Sequence, residues 1–239
     1  MKRPGKEQMT SQIKEELMDY ANPEKAKILS RFFKTGKGQY GEEDVFLGIT
    51  VPEQRSVAKR YPDLPLREIR NLLSSRVHEH RLVSLLILVA QYRRSDETGK
   101  REIFTFYLDT TRHINNWDLV DLSAPNILGD YLLDKDRAIL YRLANSKDIW
   151  ERRMAIMATF AFIKDDQFED TLRISEMLLH DVHDLIHKAA GWMLREIGKR
   201  DRKAEEQFLK RHSVEMPRTM LRYAIEQFDE KKRKVYLKK

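Results

Sequence analysis

The chain has 239 residues, with 45 Lys and Arg against 38 Asp and Glu, a net charge of +7 and no cysteine. That length suits one sizeable core or a string of small units sharing one, and the missing cysteine excludes disulfides, thiolate chemistry and zinc–thiolate sites. With no run of about 18 apolar residues and a polar start, MKRPGKEQ, neither a membrane span nor a signal peptide is expected, and a soluble intracellular protein is the simplest reading.

The basic excess is unevenly placed. The segment KKRKVYLKK, Lys231–Lys239, carries six positive charges and no acid, so removing it takes the net charge from +7 to +1 over residues 1–230. The global basicity is therefore mostly a tail, ordinarily a solvated, frayed end, and the distribution of the other Lys and Arg, not the total charge, decides whether the body has a basic face.

In chain order, residues 7–34 pattern as two helices. TGKGQYGEED (35–44) reads as a loop, and FLGITVPEQR (46–55) leads into a helix with Pro52 in its first turn. RLVSLLILVAQYRR (81–94), ERRMAIMATFAFIK (151–164) and DLIHKAAGWMLREIGK (184–199) set apolar residues at three- and four-residue spacing with charges opposite. β-Branched alternation is scarce and no Gly/Ser-rich linker interrupts the pattern. The chain reads as nearly all helix.

A repeat emerges when the second helix of each helix pair is aligned. Starts at Trp117, Trp150, Asp184 and Pro217 give steps of 33, 34 and 33 residues. Each start follows another amphipathic segment, at 101–112, 137–146, 169–179 and 202–213. Helix pairs at this period predict an all-α fold, an α-solenoid of HEAT-like helical repeats. Residues 1–230 form one repeat domain and 231–239 a basic C-terminal tail. If second helices line the concave side, Trp117, Asp121, Arg153, Lys188, Trp192 and Arg195 belong to inner helices. Arg153 lies 36 residues after Trp117, and Trp192 lies 39 after Arg153, close to one repeat each time.

Trp117 and Asp121 are four apart and share a helix face, while Asp118 points elsewhere. Each residue also has an ordinary role: a tryptophan packs in cores, a first-turn aspartate favours the helix dipole, and a helical arginine makes a surface ion pair. Asp118 is assigned to helix-start charge or a solvated contact. His180, His183 and His187 have steps of three and four, but Asp181 reads as a cap between the first two, and no acid or cysteine cluster completes a metal site. HEH at 78–80 lies at a helix junction and is given no role.

The segments FLGITVPEQR, NWDLVDLSAPNILGD (116–130), WERRMAI (150–156) and KAAGWMLRE (188–196), in this order, resemble the HEAT-like DNA glycosylases of the AlkD family, which remove alkylated purines. The resemblance implies that Asp121 matches the catalytic carboxylate and that Trp117 and Trp192 match the aromatic pair beside it. Arg153 matches a residue that holds DNA near the lesion, and Arg195 and Lys188 fall at weaker DNA-binding matches. It also implies a cofactor-free, metal-free monomer acting on duplex DNA with alkylated bases, away from membranes, in the cytoplasm and on the nucleoid. Asn116 departs from relatives that carry an aromatic there, and no role is carried over from loop 35–44.

The chemistry is coherent on its own terms. Glycosidic cleavage passes through an oxocarbenium-like state that a carboxylate stabilises directly or by activating water. Alkylation at N3 or N7 already makes the base cationic, so one carboxylate without a general acid suffices. Two other readings use the same fold: a non-catalytic HEAT protein that recognises DNA shape, or a protein–protein scaffold. Asp121 with both tryptophans favours the glycosylase.

Overall fold

The computed structural model describes residues 8–238. These divide into two compact units, within residues 1–123 and 124–239. Among the described residues the regular structure is helical, apart from one isolated bridge between Val45 and Val77.

The first unit holds α1 (Gln8–Met18), α2 (Pro23–Phe32), α3 (Val51–Ala58), α4 (Leu66–Leu73), α5 (His78–Arg94) and α6 (Glu97–Asp109), and ends in α7 (Trp117–Ala124). Its centre is α5, buried without interruption from His78 to Val89. Its middle, from Leu82 to Val89, is apolar on nearly all sides and has to be enclosed, and α1, α3, α4 and α6 pack around the helix. Local chemistry sets the ends. Asn22 accepts the Lys25 amide at 3.0 Å ahead of Pro23, and Thr50 and Glu53 form a reciprocal capping box ahead of α3. Between α2 and α3, the buried Glu79 side chain takes the amides of Leu47, Gly48 and Ile49 at 3.0, 2.8 and 3.3 Å. Gly48 has φ +84°, and a Cβ there would lie 2.1 Å from the Asn22 carbonyl oxygen.

The second unit begins where α7 gives way to a π-helical turn, Pro125–Gly129. Pro125 has no N–H for the Asp121 carbonyl, and its ring crowds that carbonyl, so the turn widens. Then follow α8 (Ala138–Ala144), α9 (Ile149–Ala158), α10 (Phe160–Lys164), α11 (Glu169–Met177), α12 (Asp184–Arg200), α13 (Arg202–His212), α14 (Arg218–Ala224) and α15 (Glu230–Leu237). Around α12 pack α9, α10, α11, α13 and α14.

The expected repeat matches these elements closely. Second helices begin at Trp117, Ile149, Asp184 and Arg218, each within one residue of the sequence reading. The cap ahead of α12 differs: His183 accepts the Leu185 amide through Nδ1 at 3.1 Å. Asp181 sits outside the helix, accepting from the His183 amide and from Arg152. The basic C-terminal segment also differs from a frayed end. Asp229 caps α15 by accepting from the Lys232 amide at 3.0 Å, Lys232 pairs with Glu206 at 2.8 Å, and Tyr236 meets the Phe228 ring edge-on.

One buried acid makes stability depend on pH. Glu205, 1 % exposed, lies against the α12 backbone, where a Cβ on Gly198 would fall 1.7 Å from its Oε2. Burial pushes its carboxyl up to about 8 from 4.5, with Arg202 opposing only in part. The native chain then holds a proton that the unfolded chain has released, so stability falls as pH rises from about 4.5 to about 8 and levels off above. Glu205→Gln is expected to flatten that decline and to exceed the wild type by a few kcal/mol at alkaline pH. Urea midpoints taken on both sides of the window check this, and parallel wild-type and variant curves would refute it.

Candidate active site

In the first unit, Trp117 and Asp121 occupy one face of α7, four residues apart, and both are half-buried. The indole stacks on Phe33 at 5.2 Å with planes 15° apart, and the exposed Phe32 meets it edge-on at 5.9 Å. Beneath them the buried Tyr107 hydroxyl meets Ser123 Oγ at 2.8 Å. Burial first, and then the Asp121 charge, hold that phenol well above its ordinary range.

Asp118 turns to a different set of partners. Its Oδ2 accepts from His78 Nε2 at 2.8 Å, and His78 Nδ1 faces Asp44 Oδ2 at 3.1 Å. Arg81 donates to Asp44 Oδ1 at 2.6 Å, and Asn116 Nδ2 donates to Asp44 Oδ2 at 3.0 Å. The Asp118 side chain is only 18 % exposed, so its contact is a largely buried ion pair and not a solvated one. Asp44 is held below the usual carboxylate range by the His78 and Asn116 hydrogen bonds and by the Arg81 charge, which together outweigh its burial. His78 is raised to about 9 because the two carboxylates, Asp118 above all, outweigh a large desolvation penalty. A pocket of about 210 Å³ lies beside this cluster, lined by Phe33, Phe46, His78 and Asp118 among others. Sequence reasoning missed the cluster. Its five members lie between residues 44 and 118 at no regular spacing, and the one local signal was the polar HEHR start of a helix whose following turns are mostly apolar.

In the second unit, Lys188, Trp192 and Arg195 follow one another at four- and three-residue steps on α12 and share a face. Trp192 Nε1 donates to Glu196 Oε1 at 3.0 Å, and its ring centre lies 6.3 Å from that of Phe160. Lys188 pairs with Asp184 at 2.8 Å, and Arg195 pairs with Glu196 and Glu226. Arg153 on α9 is 5 % exposed and donates to the Leu185 carbonyl, tying α9 to the first turn of α12. His183 and His187 serve the same end of α12, the first as its cap and the second against the Asp181 carbonyl.

The model of the family described as DNA alkylation repair enzyme matches residues 13–228, which takes in every residue of the candidate site. The chain belongs to the DNA alkylation repair enzyme family. Its fold is that of a solved structure described as a "Predicted DNA alkylation repair enzyme from Enterococcus faecalis", with a TM-score of 0.69 at 19% identity, covering 88% of this chain and 97% of that one. No curated protein matches it. Membership in the DNA alkylation repair family implies DNA binding and a role in alkylation repair. Among the described residues, no helix is long and apolar enough to cross a membrane.

Proposed function

We propose that this chain is a DNA glycosylase that excises cationic N3- and N7-alkylpurines from duplex DNA inside the cell, as a monomer and without a cofactor. The observation that carries the reading is the pairing of Trp117 and Asp121 on one face of α7 in a chain of the alkylation-repair family. As the bond from C1′ to the base nitrogen lengthens, positive charge moves from the base to the sugar. The Asp121 carboxylate stabilises the sugar cation or directs water to it. The alkylated base leaves neutral, taking the bonding electron pair, and needs no proton donor. The Trp117 indole attracts a cation by about 0.5–2 kcal/mol and forms an apolar wall beside the sugar, and the family resemblance assigns Trp192 a like part.

Lys188 and Arg195 supply charge for the phosphate backbone, exchanging Asp184 and Glu226 for phosphates. Partly exposed pairs of this kind are worth about 0–1 kcal/mol, so the exchange costs little. Arg153 would join them only by redirecting donors from the protein interior. Affinity then falls steeply with salt. The test is incubation with methylated duplex DNA and measurement of free N3-methyladenine and N7-methylguanine, with Asp121→Asn alongside. Absence of release, or equal release by both proteins, rejects the reading.

A further inference from the structure

We infer that His78 is a positioning residue, an imidazole that fixes the Trp117 ring and the first turn of α7 by two independent routes. The inference rests on the reading of Trp117 as the wall beside the reacting sugar. The first route is polar. Both ring nitrogens of His78 face carboxylate oxygens, Asp44 at 3.1 Å and Asp118 at 2.8 Å. A carboxylate only accepts, so both contacts are satisfied only when both nitrogens carry protons. From there the network reaches Asn116, just ahead of α7, and the first two residues of α7. Asp118 binds His78 directly; Asn116 donates to Asp44 at 3.0 Å; and the Trp117 amide donates to Asn116 Oδ1 at 2.8 Å.

The second route is a stack of rings. His78 lies on Phe46 at 4.6 Å and 23°, Phe46 on Phe33 at 5.0 Å and 20°, and Phe33 on Trp117 at 5.2 Å and 15°. The imidazole is 2 % exposed, so its charge is not screened by water, and it presses on the face of an electron-rich ring. The charged groups around it are Asp44 from the loop before α3, Arg81 from its own helix and Asp118 from α7. Lys25 of α2 and Glu79 line the adjoining pocket, the Glu79 carboxylate being turned to the amides at 47–49. Loss of one proton leaves a lone pair facing a carboxylate, and the first turn of α7 loses one of its two anchors.

The test uses the full chain with Trp150→Phe and Trp192→Phe, so that Trp117 alone emits, titrated through the alkaline range. Its emission is expected to shift with a midpoint at about 9, the value burial and the two carboxylates give His78. The shift should vanish in His78→Gln, and its midpoint should drop by about one pH unit or more in Asp118→Asn, which removes the larger anionic influence. In the three-tryptophan chain, His78→Gln is expected to lower kcat about tenfold with KM for methylated duplex within about twofold, and to remove an alkaline fall in kcat that the wild type shows near the same pH. A wild-type emission that does not titrate, a transition that survives in His78→Gln, or a midpoint indifferent to Asp118→Asn overturns the inference. So does a variant whose defect lies in KM alone. Should His78→Gln fail to fold, the Asp118→Asn titration decides. A wild type without glycosylase activity rejects the proposed function, while the emission titration still judges the hold of His78 on Trp117.

Discussion

Asp121→Asn is expected to slow release of N7-methylguanine by about 100-fold or more, a loss on the order of 3 kcal/mol of transition-state stabilisation. The amide keeps the size and most of the hydrogen bonding of the carboxylate and removes its charge. In the ground state the cationic centre is the base, and in the transition state it is the sugar. A fixed anion beside the sugar therefore binds the second more strongly than the first, which is the condition for catalysis. Half-burial of Asp121 on α7 strengthens the effect, because a partly dry site screens charge less than bulk water does. Affinity for undamaged duplex should change little, since the phosphates are engaged elsewhere. Single-turnover excision together with a binding isotherm separates the two quantities. A variant that binds and cleaves like the wild type would remove Asp121 from the chemistry.

Gly48→Ala carries the largest expected cost to folding. The residue has φ +84°, and its built Cβ would lie 2.1 Å from the Asn22 carbonyl oxygen and 2.6 Å from the Ala26 amide nitrogen. Both neighbours are backbone, and both are fixed by the hydrogen bond that starts α2, from the Ala26 amide to the Asn22 carbonyl at 2.9 Å. Relief would have to come from moving α2 or the Leu47–Ile49 segment. A loss of about 3 kcal/mol or more is expected, combining backbone strain with overpacking. Gly38 supplies the control. Its φ is +75°, but nothing lies within 4 Å of a Cβ there, so Gly38→Ala should cost only the strain, about 1–2 kcal/mol. Urea unfolding of the two variants compares them directly, and equal losses would mean that the close approach to α2 adds nothing.

What could be read from the sequence was whatever repeats along it. A period of 33 or 34 residues is carried by apolar positions in every helix pair, so the starts of α7, α9, α12 and α14 were visible to within one residue. The i, i+4 relation of Trp117 and Asp121 needed only the pitch of a helix. The partners of Asp118 had no such signature, because Asp44 lies in a loop and His78 in a helix far upstream, and only tertiary packing brings them together. Arg153 shows the same limit from the other side: sequence placed it on the right helix and could not say that its side chain is buried. Pro125 illustrates a local rule that bends, since the chain continues past it by widening into a π turn instead of ending. Charge count alone makes the tail look solvated, although Asp229 and Glu230 ahead of it are the ordinary marks of a helix start.

The grip of Glu79 on the segment between α2 and α3 has a consequence for the clock of hydrogen exchange. The amides of Leu47, Gly48 and Ile49 belong to no helix, yet a buried carboxylate accepts all three. In a loop held only by its ends, such protons would swap with deuterium through small, frequent openings. Here each swap requires withdrawing Glu79 from the interior, and with it the first turn of α5. The three amides should therefore exchange with the protected core of α5, making this loop one of the last parts of its unit to open.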